Sequence, residues 1–282
     1  MKISMVASSS LGYTLPRGSL EKGRSNALGR AFLELAKLGY DGVELSIEEP
    51  QRTEVREIER ASEDCGVEIP AIGTGLVYGY KGLSLSDIAE SRRRKAVSDV
   101  LKTIGIAADL GSIVIIGLVR GRISSDPKRC VEKFKNSMRE VDRAAVDNGV
   151  KLALEPLNRY EADFINNVEQ AMRFISSIGL EGTGVLLDTY HMNIEERSFE
   201  EAVERCGKKL VHVHVADSNR LAPGLGHIPF AKIIRTIASQ GYDRYLSAEI
   251  MALPNPTEAA RIAIKNLRLI LDRNREYLTR HK

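Results

Sequence analysis

Cysteine is scarce in this chain. Three occur in 282 residues, Cys65, Cys130 and Cys206, odd in number and far apart. No CxxC or other zinc-knuckle spacing joins them. That argues against a disulfide framework or a thiolate zinc centre and points to a reduced, cytoplasmic setting. Long apolar runs are also missing. The opening stretch MKISMVASSS is too short in its apolar part for a signal peptide, and no run reaches the length of a membrane span. Neither sign of charge dominates. The formal net charge is +3, the pI is near 8.7, and the 28% of charged residues mix both signs. Such a surface gives no basis for a nucleic-acid partner. No Gly-x-Gly-x-x-Gly follows the first apolar run, which lowers the case for a doubly wound open sheet. No linker, composition break or low-complexity segment divides the chain, so residues 1–282 read as one domain.

What is present is a repeat. With 43% hydrophobic residues the chain can build a large core. Eight short β-rich runs alternate with longer amphipathic stretches. The runs are Lys2–Ala7, Asp41–Ile47, Ile69–Gly75, Ser112–Leu118, Lys151–Leu157, Gly184–Tyr190, Leu210–Ala216 and Tyr245–Ile250. Several helical stretches end on a glycine suited to a left-handed cap: Gly39, Gly66, Gly111, Gly149, Gly179 and Gly241. Eight βα units in succession predict an α/β fold, a (β/α)8 TIM barrel, whose reactive face lies at the strand C-termini.

Four residues stand late in four successive runs: Glu155, Asp188, His214 and Glu249. Strand alternation puts all four on one side. Leu152 and Leu154 face the helices, leaving Ala153 and Glu155 inward. Val185 and Leu187 face outward and Asp188 inward. Val211, Val213 and Val215 face the helices, so His212 and His214 point in. Leu246, Ala248 and Ile250 pack outward, and Ser247 and Glu249 point in. Burying such groups unpaired is costly, so their convergence predicts a shared divalent ion. Three carboxylates and one imidazole suit Mn²⁺ first, then Mg²⁺, Co²⁺ or Zn²⁺. Such an ion can hold two neighbouring oxygens of a hydroxy-ketone and acidify the C–H between them. Glu155 and Glu249 are each long enough to ligate with one oxygen and exchange a proton with the other. Two such bases on opposite faces would invert a carbon centre. His212, deeper in the barrel, is expected to be a structural, hydrogen-bonded imidazole.

At these residues the chain resembles the xylose isomerase-like sugar isomerase/epimerase barrels, in the D-tagatose 3-epimerase branch. The resemblance is carried by LEPLNRYE (154–161), LLDTYHMNIEE (186–196), HVHVADSNRLAPGLGH (212–227) and AEI (248–250). The ligand spacings of 33, 26 and 35 residues also look like the family's. It implies metal ligation by Glu155, Asp188, His214 and Glu249, and acid/base catalysis by Glu155 and Glu249. It also implies substrate contacts from Glu161, His191 and Arg220, and a dimer or tetramer. The implied activity is 3-epimerisation of a ketose or keto-sugar acid through a cis-enediolate. AIGTG (71–75) and IIGLVRGR (115–122) look most like a sub-branch acting on keto-sugar acids such as 5-keto-L-gluconate or D-tagaturonate. There Arg120 or Arg122, expected near the mouth, would meet the carboxylate.

Two further expectations concern geometry. Asp188 and His191 are three apart, so the chain must leave the strand at Thr189–Tyr190 for His191 to turn back over the site. The glycines of APGLGH would let a loop close over the substrate. One departure is plain: family members acting on ketohexoses often cover the sugar's far end with Trp, and this chain has none. Tyr78, Tyr80 and Phe230 are the aromatic candidates to replace it.

Other functions share the residues. An aldose–ketose isomerase of the hydroxypyruvate type, or an inosose dehydratase, would use the same ion and enediolate. An endonuclease IV-type nuclease needs several more histidines than His191, His212, His214, His227 and His281 supply. A non-catalytic sugar-binding barrel would have no use for both acid/base glutamates.

Overall fold

The computed structural model describes residues 1–23, 26–123 and 125–280; His281 lies outside them. Eight parallel strands form a closed barrel: β1 (Lys2–Ser8), β2 (Gly42–Ser46), β3 (Ala71–Gly73), β4 (Ile113–Ile116), β5 (Leu152–Leu154), β6 (Thr183–Asp188), β7 (Leu210–Val215) and β8 (Tyr245–Ala248). They pair in sequence order, and β1 closes the ring by pairing with both β2 and β8. Each predicted run overlaps one strand, with β1 extending past its run to Ser8 and β6 starting ahead of its run at Thr183. A two-residue strand, Tyr13–Thr14, lies beside β1 and was not foreseen. The protein is a single-domain TIM barrel.

Among the described residues ten α-helices surround or cap the ring: α1 (Asn26–Leu38), α2 (Val55–Cys65), α3 (Gly75–Lys81), α4 (Glu90–Leu110), α5 (Pro127–Asp147), α6 (Val168–Ser177), α7 (Thr189–Glu195), α8 (Phe199–Cys206), α9 (Phe230–Ser239) and α10 (Pro256–Arg280). Their starts follow local chemistry. Asp126 accepts from the Arg129 N–H ahead of Pro127, Asn167 from Gln170 and Ser198 from Glu201, each supplying an acceptor to a first-turn donor. All six glycines expected at helix ends have positive φ, from 66° to 95°. No described helix is long and apolar enough to cross a membrane.

Two apolar layers separate as strand alternation requires. Leu152, Leu154, Val185, Leu187, Val213 and Leu246 join the large core between barrel and helices. Ala71, Ile115, Ala153 and Leu186 form a small cluster within the ring. Val211 breaks the expected pattern, because it packs against that inner cluster rather than the helices. The β6–β7 register explains it. Val185 pairs with Leu210 but Leu186 pairs with His212, so Val211 is an extra residue at a bulge. Gly184 leaves space for it; a Cβ there would stand 2.4 Å from Val211 Cγ1. His212 and His214 keep their inward direction.

A candidate active site and metal centre at the strand ends

The barrel brings Glu155, Asp188, His214 and Glu249 together. One ligand atom from each lies within 4.8 Å of all the others. His214 Nδ1 stands 3.6 Å from Glu155 Oε1, 4.0 Å from Asp188 Oδ2 and 3.8 Å from Glu249 Oε2. Atoms sharing one first-row divalent ion at about 2.0–2.2 Å stand about 3–4 Å apart. Glu155 Oε1, Asp188 Oδ2 and His214 Nδ1 are buried and make no hydrogen bond. Buried polar atoms seldom lack partners, and these three converge. Burial, followed by the charge of Glu249, pushes the Asp188 carboxyl up to about 6. Burial also raises Glu155. A divalent cation would relieve that crowding, and the donor set fits one.

Asp188 divides its carboxylate. Oδ1 accepts from the Tyr190 N–H at 2.7 Å and caps α7, while Oδ2 faces the cluster. The strand therefore ends at Asp188 and turns directly into α7, as the expected exit at Thr189–Tyr190 required. That turn carries His191 over the site, with Nε2 3.7 Å from Asp188 Oδ2 and 3.9 Å from Glu155 Oε1.

The floor of the site holds a residue the sequence reading missed. Glu44, on β2, is fully buried. Its Oε2 lies 2.7 Å from His212 Nε2, and its two oxygens lie 3.0 and 3.2 Å from His214 Nε2. Burial works against the Glu44 charge, but the imidazoles, His214 foremost, more than offset it and hold the carboxyl well below its usual range. His212 is thus the hydrogen-bonded imidazole anticipated for it. The signal for Glu44 was available: in GVELS, Val43 and Leu45 face the helices, which leaves Glu44 inward.

A second unanticipated residue, Asn158, ties together Tyr160, Glu161 and His191. Its Oδ1 accepts the Tyr160 N–H at 3.0 Å, and its Nδ2 donates to Glu161 Oε1 at 3.2 Å. A backbone donor and a carboxylate acceptor leave one orientation for the amide. The same Nδ2 lies 2.7 Å from His191 Nδ1, which must then accept. His191 Nε2 therefore carries the hydrogen and has no hydrogen-bond partner among the described residues. Burial lowers the His191 pKa, so the ring is a neutral donor aimed at the cluster.

Arg220 closes this side. Nη1 donates to Glu161 at 2.8 Å, Nη2 to Glu249 at 2.9 Å, and the guanidinium lies 4.8 Å from the Tyr190 ring centroid. Its backbone has φ of 59°, a costly conformation for a branched-out side chain. The loop that holds it is not the loose flap expected of APGLGH. Buried Asp217 accepts backbone N–H groups of Ser218, Gly224 and Ile228 at 2.8, 2.7 and 3.1 Å. The glycines let this loop wrap tightly around one carboxylate, since a Cβ on Gly226 would stand 2.3 Å from Asp217 Oδ1.

A cavity of about 330 Å³ opens over the cluster, lined in part by Glu155, Glu161, His191, Arg220 and Glu249. Gly73, Gly75 and Gly117 give it room on the side of β3 and β4. Gly117 is the tightest, because a Cβ there would come within 2.4 Å of Glu155 Oε2. Gly117→Ala is therefore expected to displace a flexible carboxylate rather than the backbone. Thermal unfolding should hardly change while kcat/KM falls about a hundredfold, the usual consequence of a misplaced reacting group. Unchanged kinetics would show that Glu155 has slack at this position.

The arginines of GLVRGR are not at the mouth as expected. Arg120 is fully buried, donates to the Ile165 carbonyl at 3.3 Å and lies 5.5 Å from the Phe164 ring centroid. Arg122 is half exposed and engages the Tyr160 carbonyl and Asp163. Neither lines the cavity. The short turn after β4 tucks Arg120 behind the site, a reversal that strand alternation cannot foretell. Among the aromatic candidates only Tyr80 lines the cavity, with Arg17 stacked 3.9 Å from its ring centroid. Phe230 is buried in the outer core, and Tyr78 lines a different surface recess.

Closed barrel, strand-end cluster and cavity together define a class. Residues 32–270 match the family described as xylose isomerase-like TIM barrel, and the chain belongs to it. The chain is 33% identical over 219 residues to D-psicose 3-epimerase of Agrobacterium fabrum, covering 74% of each. It is 28% identical over 250 residues to 3-dehydro-D-guloside 4-epimerase of Escherichia coli, covering 84% of this chain and 92% of that one. A solved L-ribulose 3-epimerase superposes with a TM-score of 0.83 at 23% identity, over 99% of this chain and 97% of that one. These relatives are sugar epimerases, isomerases acting on carbohydrates, and this chain stands in that group of the family.

Proposed function

We propose that the protein is a metal-dependent 3-epimerase of a free ketose, working through a cis-enediolate. The observation that carries this is the pair Glu155 and Glu249, each offering an oxygen to the same small cluster at the floor of a sugar-sized cavity. A divalent ion held by Glu155, Asp188, His214 and Glu249, Mn²⁺ first among the candidates, would bind neighbouring substrate oxygens and stabilise negative charge on them. Glu155 and Glu249 then remove and return the C3 proton from opposite faces. His191 Nε2–H and Arg220 orient the sugar oxygens, and Glu161 both braces Arg220 and accepts from a hydroxyl.

Charge favours a neutral substrate. The cavity is lined by Glu44, Glu155, Glu161 and Glu249; against them stand Arg220, which already serves two carboxylates, the His214 imidazole and the proposed divalent ion. Arg220 Nε, buried and unpartnered, supports a second reading in which it takes an oxygen of a keto-sugar acid. A cytoplasmic setting is supported by the scarcity and wide spacing of cysteine, three in 282 residues. Assembly into a dimer or tetramer is supported by Leu225, Met251 and Leu253, 42–52% exposed on loops after β7 and β8.

The test is a panel of ketohexoses and 5-keto-aldonates, assayed with Mn²⁺ after chelation in deuterated water. Turnover of ketohexoses with label at C3 is the expected result. Preference for the keto acids selects the second reading. Formation of an aldose labelled at C2 would identify an aldose–ketose isomerase instead.

A further inference from the structure

We propose that Glu44 is a positioning residue of the metal centre: it grips His214 through Nε2 and so presents Nδ1 to the cluster, with His212 as its second anchor. The inference rests on the proposal that this cluster holds a divalent ion.

Three observations carry it. First, the contacts divide cleanly between the two sides of His214. Nε2 meets both Glu44 oxygens at 3.0 and 3.2 Å, while Nδ1 faces Glu155, Asp188 and Glu249 and makes no hydrogen bond. A carboxylate only accepts, so Nε2 carries the hydrogen and Nδ1 keeps its lone pair for the cluster. A carboxylate behind a ligating imidazole fixes its tautomer and ring direction and makes the nitrogen a better donor to the ion.

Second, Glu44 is itself held. His212 Nε2 lies 2.7 Å from Oε2, and the two imidazoles stand nearly perpendicular, 80° apart with centroids 5.3 Å from each other. Carboxylate and rings thus lock one another, and His214 has little freedom to swing.

Third, the cost of the arrangement needs a return. A fully buried carboxylate is expensive even when paired, and a hydroxyl would satisfy one imidazole N–H at less cost. Glu44, His212 and His214 also lie close enough to hold an ion of their own. Yet their facing atoms satisfy one another at hydrogen-bond distance, whereas Glu155 Oε1, Asp188 Oδ2 and His214 Nδ1 on the other side have no hydrogen-bond partner among the described residues. The geometry therefore makes Glu44 a support for one ion rather than the ligand of a second.

Glu44→Gln keeps the shape and removes the charge and one acceptor. Chelated protein is titrated with Mn²⁺ by calorimetry, and the visible spectrum of the Co²⁺-loaded form is recorded. Wild type is expected to bind one ion per chain. Glu44→Gln should bind it 10- to 100-fold more weakly, with an altered Co²⁺ spectrum. His212→Gln, which leaves Glu44 in place without its anchor, should show a smaller loss in the same direction. An affinity within twofold of wild type in a folded Glu44→Gln protein overturns the proposal. So does wild type binding two ions, of which the variant loses one. If Glu44→Gln does not fold, His212→Gln decides by the same criteria, and failure of both to fold marks Glu44 as structural and overturns the idea. Wild type binding no ion is a separate outcome, which removes the metal centre itself.

Discussion

Glu249→Gln, saturated with Mn²⁺, is expected to lose epimerisation by a factor of about 10²–10⁴ while its sugar affinity stays close to wild type. The substitution preserves shape. An amide oxygen can still receive the Arg220 Nη2 hydrogen that Glu249 Oε2 accepts at 2.9 Å. It cannot take or give a proton. The second carboxylate makes the expectation sharper than simple inactivity. Glu155 remains able to remove the C3 proton of the epimer whose C–H faces it. In deuterated water that epimer should exchange its C3 hydrogen without being converted, while the other epimer should not exchange. Glu155→Gln should give the reverse pattern. Equal exchange from both epimers in either variant would rule out two opposed carboxylates and favour a single base serving both faces.

The parts of this site legible in the sequence were those governed by strand period. Glu155, Asp188, His214 and Glu249 each follow an apolar alternation that fixes the inward side, and the structure brings all four to one place. The same rule would have placed Glu44 inward from GVELS. It was passed over because β2 contributes no predicted ligand, and an acidic residue supporting a histidine leaves no spacing signal. Where local geometry departs from period, the reading failed. One extra residue at Val211 turns a valine into the barrel. The turn after β4 carries Arg120 behind the site although Gly117 and Leu118 line the cavity. APGLGH has the composition of a mobile loop, but its glycines serve the close wrap around Asp217. Asn158 was unreadable for another reason: its role depends on Tyr160, Glu161 and His191 meeting in space.

Chelation should abolish activity and, in addition, make the stability of the fold depend on pH where the Mn²⁺-loaded protein shows little dependence. Three cluster groups bind a proton more tightly in the folded chain than in the unfolded one. Burial, then Glu249, raises Asp188 from 3.8 to about 6. Burial raises Glu155. Burial opposes the His214 proton, but Glu44 and Glu249 outweigh it and hold the imidazole well above 6.5. For each, the stabilising contribution is fully present below the unfolded pKa and is lost as pH rises through the folded one. The Asp188 window runs from 3.8 to about 6, and the His214 window opens at 6.5 and extends upward. Glu44, His191 and His212 have the opposite sign: Glu44 acts only in acid, and the two imidazoles, lowered by burial, act below 6.5. The chelated protein should therefore melt at progressively lower temperature from pH 6.5 to pH 8, where the His214 proton is lost and the lowered imidazoles no longer act. Added Mn²⁺ takes the place of those protons, so its affinity should climb over the same interval and its binding should release protons measurable in buffers of different ionisation enthalpy. A chelated protein whose melting temperature rises with pH would mean that the carboxylates are relieved by some arrangement other than shared protons, and that the cluster is not poised for a cation.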